Sequence, residues 1–201
     1  MERPPGSSVD LSQYRDSKGW KYLAMRALWT CVQLPFFPKM PRRLSGLRIV
    51  LLRVFGARIG KGCFIAGGVR VWVPRNLSMG DYSVIGEGVQ VYNLAAISIG
   101  SNAVVSQFTY LCTGTHDYTD PAFPLVWLPI TIHSSAWVAA NVFVVPGIEV
   151  GEGAVVGAGS VVTKAVPEWM VCAGNPCRPI KPRVLKPKVL KPRPLKGSAG
   201  E

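Results

Sequence analysis

The chain holds two histidines, His116 and His133. A neutral imidazole is the side chain best suited to take a proton from a hydroxyl near neutral pH. His116 stands in the run YLCTGTHDYTDPAF. Asp117 follows it and could orient or charge-stabilise the ring, as a triad carboxylate does. A loop Asp also commonly caps its own turn, and Asp120, before Pro121, reads that way. Cys112, four residues before His116, raises a Cys–His nucleophile, but it occupies a slot that small residues usually fill. His133 follows Ile132 in a slot more often held by Gly or Ala, which reads as a corner rather than a site. A metal hydratase would need about three His ligands, so two histidines, and five cysteines without a CxxC pair, point away from a metal.

The elements that must position these residues follow a six-residue beat. Aliphatic side chains recur at Ile59, Ile65 and Val71, at Met79, Ile85 and Val91, and at Ile99, Val105 and Leu111. The beat resumes at Ile132, Val138, Val144, Val150, Val156 and Val162. A period of six fits neither a helix nor a simple alternating strand. It fits short strands joined by corners, three hexads to a triangular coil, as in parallel β-helices. The next position is often Gly (Gly60, Gly80, Gly86, Gly100, Gly151, Gly157), which predicts unusual backbone dihedrals there. The fourth position after is often small (Ser83, Ala103, Thr109, Ala136, Ala154, Ser160), letting each corner close.

The register locates an insertion. Ile59 to Met79 and Met79 to Ile99 each span 20 residues, and Ile132 to Val150 spans 18, but Ile99 to Ile132 spans 33. The excess falls near 116–131, where Pro121, Pro124 and Pro129 forbid a regular ladder. A dry interior expels such a segment at a corner, so His116 opens a protruding loop, a favoured place for function.

Charge is segregated: residues 1–59 carry 11 Lys/Arg and 3 Asp/Glu, residues 60–176 carry 4 and 7, and residues 177–201 carry 8 and 1. The mildly acidic body lacks a basic groove threaded with aromatics, which argues against nucleic acid. The odd cysteine count, with no disulfide framework, suits a reduced, cytoplasmic setting, with the inner face of the membrane as a variant of it. The stretch Trp20–Phe37 is too short and broken to span a bilayer. Tyr22, Met25, Leu28 (or Trp29) and Val32 recur at helical spacing. A helix there could close the open end of the β-helix or touch a membrane surface with help from Arg42, Arg43, Arg48 and Arg53. The boundaries read from these patterns are a basic arm with an amphipathic helix at 1–58, a β-helix at 59–167, a C-terminal cap at 168–183 and a Lys/Pro-rich mobile tail at 184–201.

Residues 10–183 resemble the hexapeptide-repeat acetyltransferases, and within them the group of exopolysaccharide-synthesis enzymes. The carrying segments are NLSMGDYSVIGEGVQVYNLAAISIG, YLCTGTHDYTDPAF, and GAGSVVTK with AGNPCRPIK downstream. The resemblance implies a left-handed parallel β-helix of five to six coils, a homotrimer with sites between prisms, acetyl-CoA as donor, no metal, and a carbohydrate acceptor. It implies His116 as general base, with Asn93 from the preceding coil holding the acceptor; the other reading of Asn93 is a corner residue in a left-handed conformation. It places Trp137 near the thioester and Ala158 against pantetheine. Thr163, Lys164 and Arg178 then lie at the phosphates of the adenosine end, where cations are expected. Sugar O-acetylation is the implied reaction; an amino-sugar N-acetyltransferase and a non-catalytic trimeric scaffold are the alternatives.

Overall fold

A computed structural model of the chain describes residues 8–14, 19–37 and 39–186. Most of the expected Lys/Pro tail, from residue 187 on, lies outside these residues. The hexads form a parallel β-solenoid with three faces. The first face stacks Arg58–Ile59, Leu77–Met79, Ile97–Ile99, Ile130–Ile132 and Glu149–Val150. The second face includes Phe64–Ile65, Val84–Ile85, Val104–Val105, Trp137–Val138 and Val155–Val156. The third stacks Arg70–Val71, Gln90–Tyr92, Tyr110–Cys112, Phe143–Val144 and Val161–Val162.

The aliphatic beat is the register of the pairing. Ile59 lies over Met79, Ile99, Ile132 and Val150 in turn, and Ile65 and Val71 head equivalent columns. All these side chains are buried in one continuous core, each worth about 1.5–3 kcal/mol relative to exposure. A sixth turn begins where Val166 bridges to Val150 and Met170–Ala173 joins the second face. Arg178–Pro182 then folds back antiparallel on that strand.

The glycine after each inward aliphatic serves a purpose other than the one predicted. Positive φ falls two residues later, at Gly62, Gly88 and Gly153 and also at Tyr82, Asn102, Ser135 and Asn141. Gly60, Gly80, Gly86, Gly100, Gly151 and Gly157 instead permit close stacking. A Cβ on Gly100 would stand 2.4 Å from the backbone nitrogen of Ser134 in the next coil. Gly100→Ala should therefore cost about 1–3 kcal/mol as the coils are forced apart. Gly46→Ala, in a helix with open space around its Cβ position, should gain roughly 0.5–1 kcal/mol. Thermal denaturation of the two variants checks the opposite signs.

The insertion is also more ordered than its prolines suggest. Gly114–His116 pairs antiparallel with Leu125–Trp127, so a hairpin projects from the corner between the third and first faces. Pro121 and Pro124 stay outside the two strands and Pro129 follows them. Ile130 and Thr131, expected in the loop, already pair with Ile97 and Ser98.

Side chains of two helices, α1 (Trp20–Phe36) and α2 (Ser45–Val54), close the open edge of the first coil. On the third face, Gln33 Oε1 accepts from Val71 N at 2.6 Å and Trp29 Nε1 donates to Val71 O at 2.6 Å. On the second, Ser45 Oγ accepts from Ile65 N at 2.9 Å and the buried Arg48 donates to Ile65 O at 3.2 Å. Arg48 also reaches the Met40 and Pro41 carbonyls, and burial pushes its guanidinium below the ordinary value. On the first face, Arg53 donates to the carbonyls of Ile59 and Gly60. Each of the three edges thus receives hydrogen bonds from helix side chains, at about 1 kcal/mol net per bond. Arg48 and Arg53, expected to help hold a membrane, are engaged in this closure.

Candidate functional site

His116 ends the first strand of the hairpin and is half-buried. Its Nδ1 lies 2.9 Å from the carbonyl oxygen of Phe123. A carbonyl only accepts, so Nδ1 carries the proton and the neutral ring presents an unprotonated Nε2. Phe123 adopts a φ of +49°, uncommon for an aromatic residue. Its ring stacks on the imidazole with centroids 4.4 Å apart and 10° between planes. One residue therefore fixes both the tautomer and the plane of His116. The turn that sets Phe123 is held by Phe123 N donating to Asp120 O at 2.9 Å and Ala122 N donating to Asp120 Oδ1 at 2.8 Å. Segment 8–14 lies against the same hairpin. Asp10 N donates to Pro121 O at 2.9 Å, and the Tyr14 ring is 6.2 Å from the imidazole.

Asp117 does not supply the orienting bond. Its Oδ1 accepts from Thr119 N at 2.9 Å and Thr119 Oγ1 at 2.6 Å. Those bonds hold the carboxyl below the usual range, and the carboxylate is a turn cap. Asn93 is fully buried. Its Oδ1 accepts from Val73 N and its Nδ2 donates to Val73 O, both at 2.8 Å. The carboxamide is thus a rung between coils rather than a hand held out to an acceptor, and its φ is not positive. Cys112 donates to Gly114 O at 3.2 Å, and burial pushes its thiol up, away from the nucleophilic thiolate. His133 sits exposed at a corner, 4.0 Å from Glu149.

The remaining residues fall into two groups. Thr163 and Lys164 are exposed just past the last strand of the third face, on the same corner line as His116. Trp137 stands on the second face, 45% exposed, with Nε1 donating to Ser106 Oγ at 2.9 Å. Ala158 is exposed at the corner where that face meets the third. Arg178, also exposed, pairs with Ala173 at the end of the second face and donates to Cys177 O. In a three-sided prism the corner between the third and first faces is opposite the second face. One chain therefore cannot bring His116 and Trp137 together.

A pocket of about 180 Å³ lies near the root of the hairpin, lined by Tyr22, Arg75, Asn76, Leu94 and Trp127. Trp127 pairs with Gly114, two residues before His116. Neither this pocket nor Phe123 is marked by the sequence. The pocket joins α1, two coils and the hairpin, and Phe123 acts through its backbone. The one available sign was that Phe123 lies between two prolines that tighten its turn.

A family model described as bacterial transferase hexapeptide (six repeats) matches residues 129–164. Over 177 residues the chain is 42% identical to the putative colanic acid biosynthesis acetyltransferase WcaF of Escherichia coli (strain K12), covering 87% of this chain and 97% of that protein. The galactoside O-acetyltransferase of the same strain is 28% identical over 134 residues, 65% of this chain and 66% of that protein. Among solved structures, the hexapeptide-repeat acetyltransferase VCA0836 of Vibrio cholerae O1 biovar eltor, complexed with acetyl coenzyme A, shares the solenoid fold. Its TM-score is 0.76 at 24% identity, over 83% of this chain and 91% of that one.

Proposed function

Because the chain belongs to the hexapeptide-repeat acetyltransferases, we propose that it moves an acetyl group from acetyl-CoA to a sugar hydroxyl in exopolysaccharide or other glycan synthesis, with His116 as general base. The observation that carries this reading is the Phe123 carbonyl on Nδ1, which leaves Nε2 free to accept a proton. Nε2 takes the hydroxyl proton as the oxygen attacks the thioester carbonyl. The tetrahedral oxyanion collapses, the carbon–sulfur bond breaks, and the imidazolium can return its proton to the departing thiolate. General-base assistance of this kind is worth roughly 10²–10⁴-fold. Direct transfer needs no acyl-enzyme, which agrees with the raised Cys112 thiol.

The donor is proposed to run along the second face of one protomer, past Trp137 and Ala158 to Arg178, facing the His116 corner of a neighbour in a homotrimer. Corner-to-face packing around a threefold axis closes such a site three times. Lys164 and Thr163, above His116 on its corner, then approach the same groove from the opposite side, where a lysine can meet phosphate. The pocket at Trp127, Arg75 and Asn76 offers the acceptor an aromatic wall and polar groups. VCA0836 complexed with acetyl-CoA and the name of the WcaF relative support the donor and the acceptor class.

The test is release of free CoA thiol from acetyl-CoA in the presence of a panel of sugars, amino sugars and glycolipid precursors. Acceptor-dependent release with a hydroxyl sugar is the expected result. Release only with amino sugars would move the reaction to N-acetylation, and no release with any acceptor would remove the proposal.

A further inference from the structure

The two helices that close the solenoid carry apolar side chains on both sides: Trp29 on α1 and Ile49 and Leu52 on α2 are buried in the core, and a second apolar set faces outward. On α1 the residues facing the solenoid include Trp29, Gln33 and Arg26: Trp29 and Gln33 bond to the edge at Val71, and Arg26 lies over the Trp72 ring. The opposite side carries Trp20, Leu23, Leu28 and Leu34, all exposed, Trp20 at 74% and Leu28 at 57%. Of the stripe expected at Tyr22, Met25, Leu28 or Trp29, and Val32, Trp29 is fully buried. Tyr22 and Val32 are partly buried, while Met25 and Leu28 face outward. On the second helix, α2, Ser45, Arg48, Ile49 and Leu52 are buried, and Leu47 and Val50 are exposed. Both helices bond to the free edge of the first coil, and each outward apolar set lies on the side of its helix away from those bonds.

Charge chooses what covers this surface. Between Asp16 and Asp81 there is no Asp or Glu, and there are 12 Lys or Arg. Lys21, Lys39, Arg43 and Arg58 among them are exposed. A second copy of the chain docking here through a twofold axis would set two acid-free basic surfaces against each other. A bilayer carrying anionic headgroups supplies both hydrocarbon for the stripes and counter-charge for the bases. Among the described residues no helix is long and apolar enough to cross a membrane, so the contact is interfacial. We propose that the outward faces of α1 and α2 seat the protein on an anionic lipid surface, with the solenoid standing up from it. His116 leaves the third coil, about 10 Å above the capped edge at two strand spacings.

The experiment is cosedimentation of the full-length protein with vesicles of equal phosphatidylglycerol and phosphatidylcholine, against vesicles of phosphatidylcholine alone, at physiological salt. Binding to the anionic vesicles should be at least tenfold stronger. Leu28→Gln with Leu34→Gln should weaken it at least tenfold while circular dichroism and the thermal midpoint stay put, since both side chains are exposed. Lys21→Glu with Arg43→Glu should weaken it as well. Equal binding to both vesicles overturns the proposal. So does undiminished binding by the leucine variant, which would assign the contact to another part of the chain. A fall in oligomeric mass in that variant would assign the stripe to contact between copies and also overturn it.

Discussion

Replacing His116 by Ala should lower acetyl transfer by roughly 10²–10⁴-fold, with KM for acetyl-CoA little changed and the assembly intact. The imidazole stands on a projecting hairpin outside the column of buried aliphatics, with its named contacts to Phe123 and Tyr14. Its loss removes a proton acceptor without opening the core. A fall in kcat alone is the signature of an interaction made in the transition state. Two companion variants sharpen the reading. His133→Ala should be silent, because that ring is an exposed corner residue 4.0 Å from Glu149. Asp117→Asn should cost less than about tenfold, since its carboxylate caps Thr119 and the Phe123 carbonyl holds the tautomer. A triad carboxylate in its place would cost about 10⁴. Turnover by His116→Ala within tenfold of the wild-type protein would end the general-base assignment, and a large effect of Asp117→Asn would restore the triad.

The sequence made the solenoid legible because each coil repeats one physical requirement. Ile59, Met79, Ile99, Ile132 and Val150 must fill the same slot in successive layers, so counting residues gave their pairing directly. It located His116 at the excess of the third coil for the same reason. What escaped was chemistry carried by backbone. No residue type announces that the Phe123 carbonyl will meet Nδ1, or that Gly100 is needed for proximity to Ser134 rather than for its own dihedrals. Asn93 is hard to read because its type suits both a sugar and a strand edge; its carboxamide is buried and bonded to Val73. The helical spacing within Trp20–Phe37 announced a helix that closes the solenoid's end, and Trp29 on it is buried. It could not announce the unpaired N–H and C=O groups at that end, which the side chains of Gln33 and Ser45 meet at Val71 and Ile65.

Mixing inactive chains should restore activity, and this is the sharpest consequence of the prism's geometry. If the proposed site joins His116 of one protomer to Trp137 of the next, neither His116→Ala nor Trp137→Ala alone can form a complete site in its own homotrimer. Coexpressed and purified together through different tags, they should assemble mixed trimers if the chain forms the proposed homotrimer. In these, a site is whole when its corner comes from the Trp137→Ala chain and its face from the His116→Ala chain. Random assembly at equal amounts makes about a quarter of sites whole, so activity should return to about a quarter of the wild-type level. A site contained in one chain predicts no recovery at any ratio. Trp137 is a fair partner for the test because its ring is substantially exposed on the second face and hydrogen-bonded only through Nε1 to Ser106. Its removal should therefore spare the aliphatic core beneath, where Val138 points inward. Recovery requires that the two groups meet across an interface, which the opposed positions of corner and face within one chain demand of any mechanism using both.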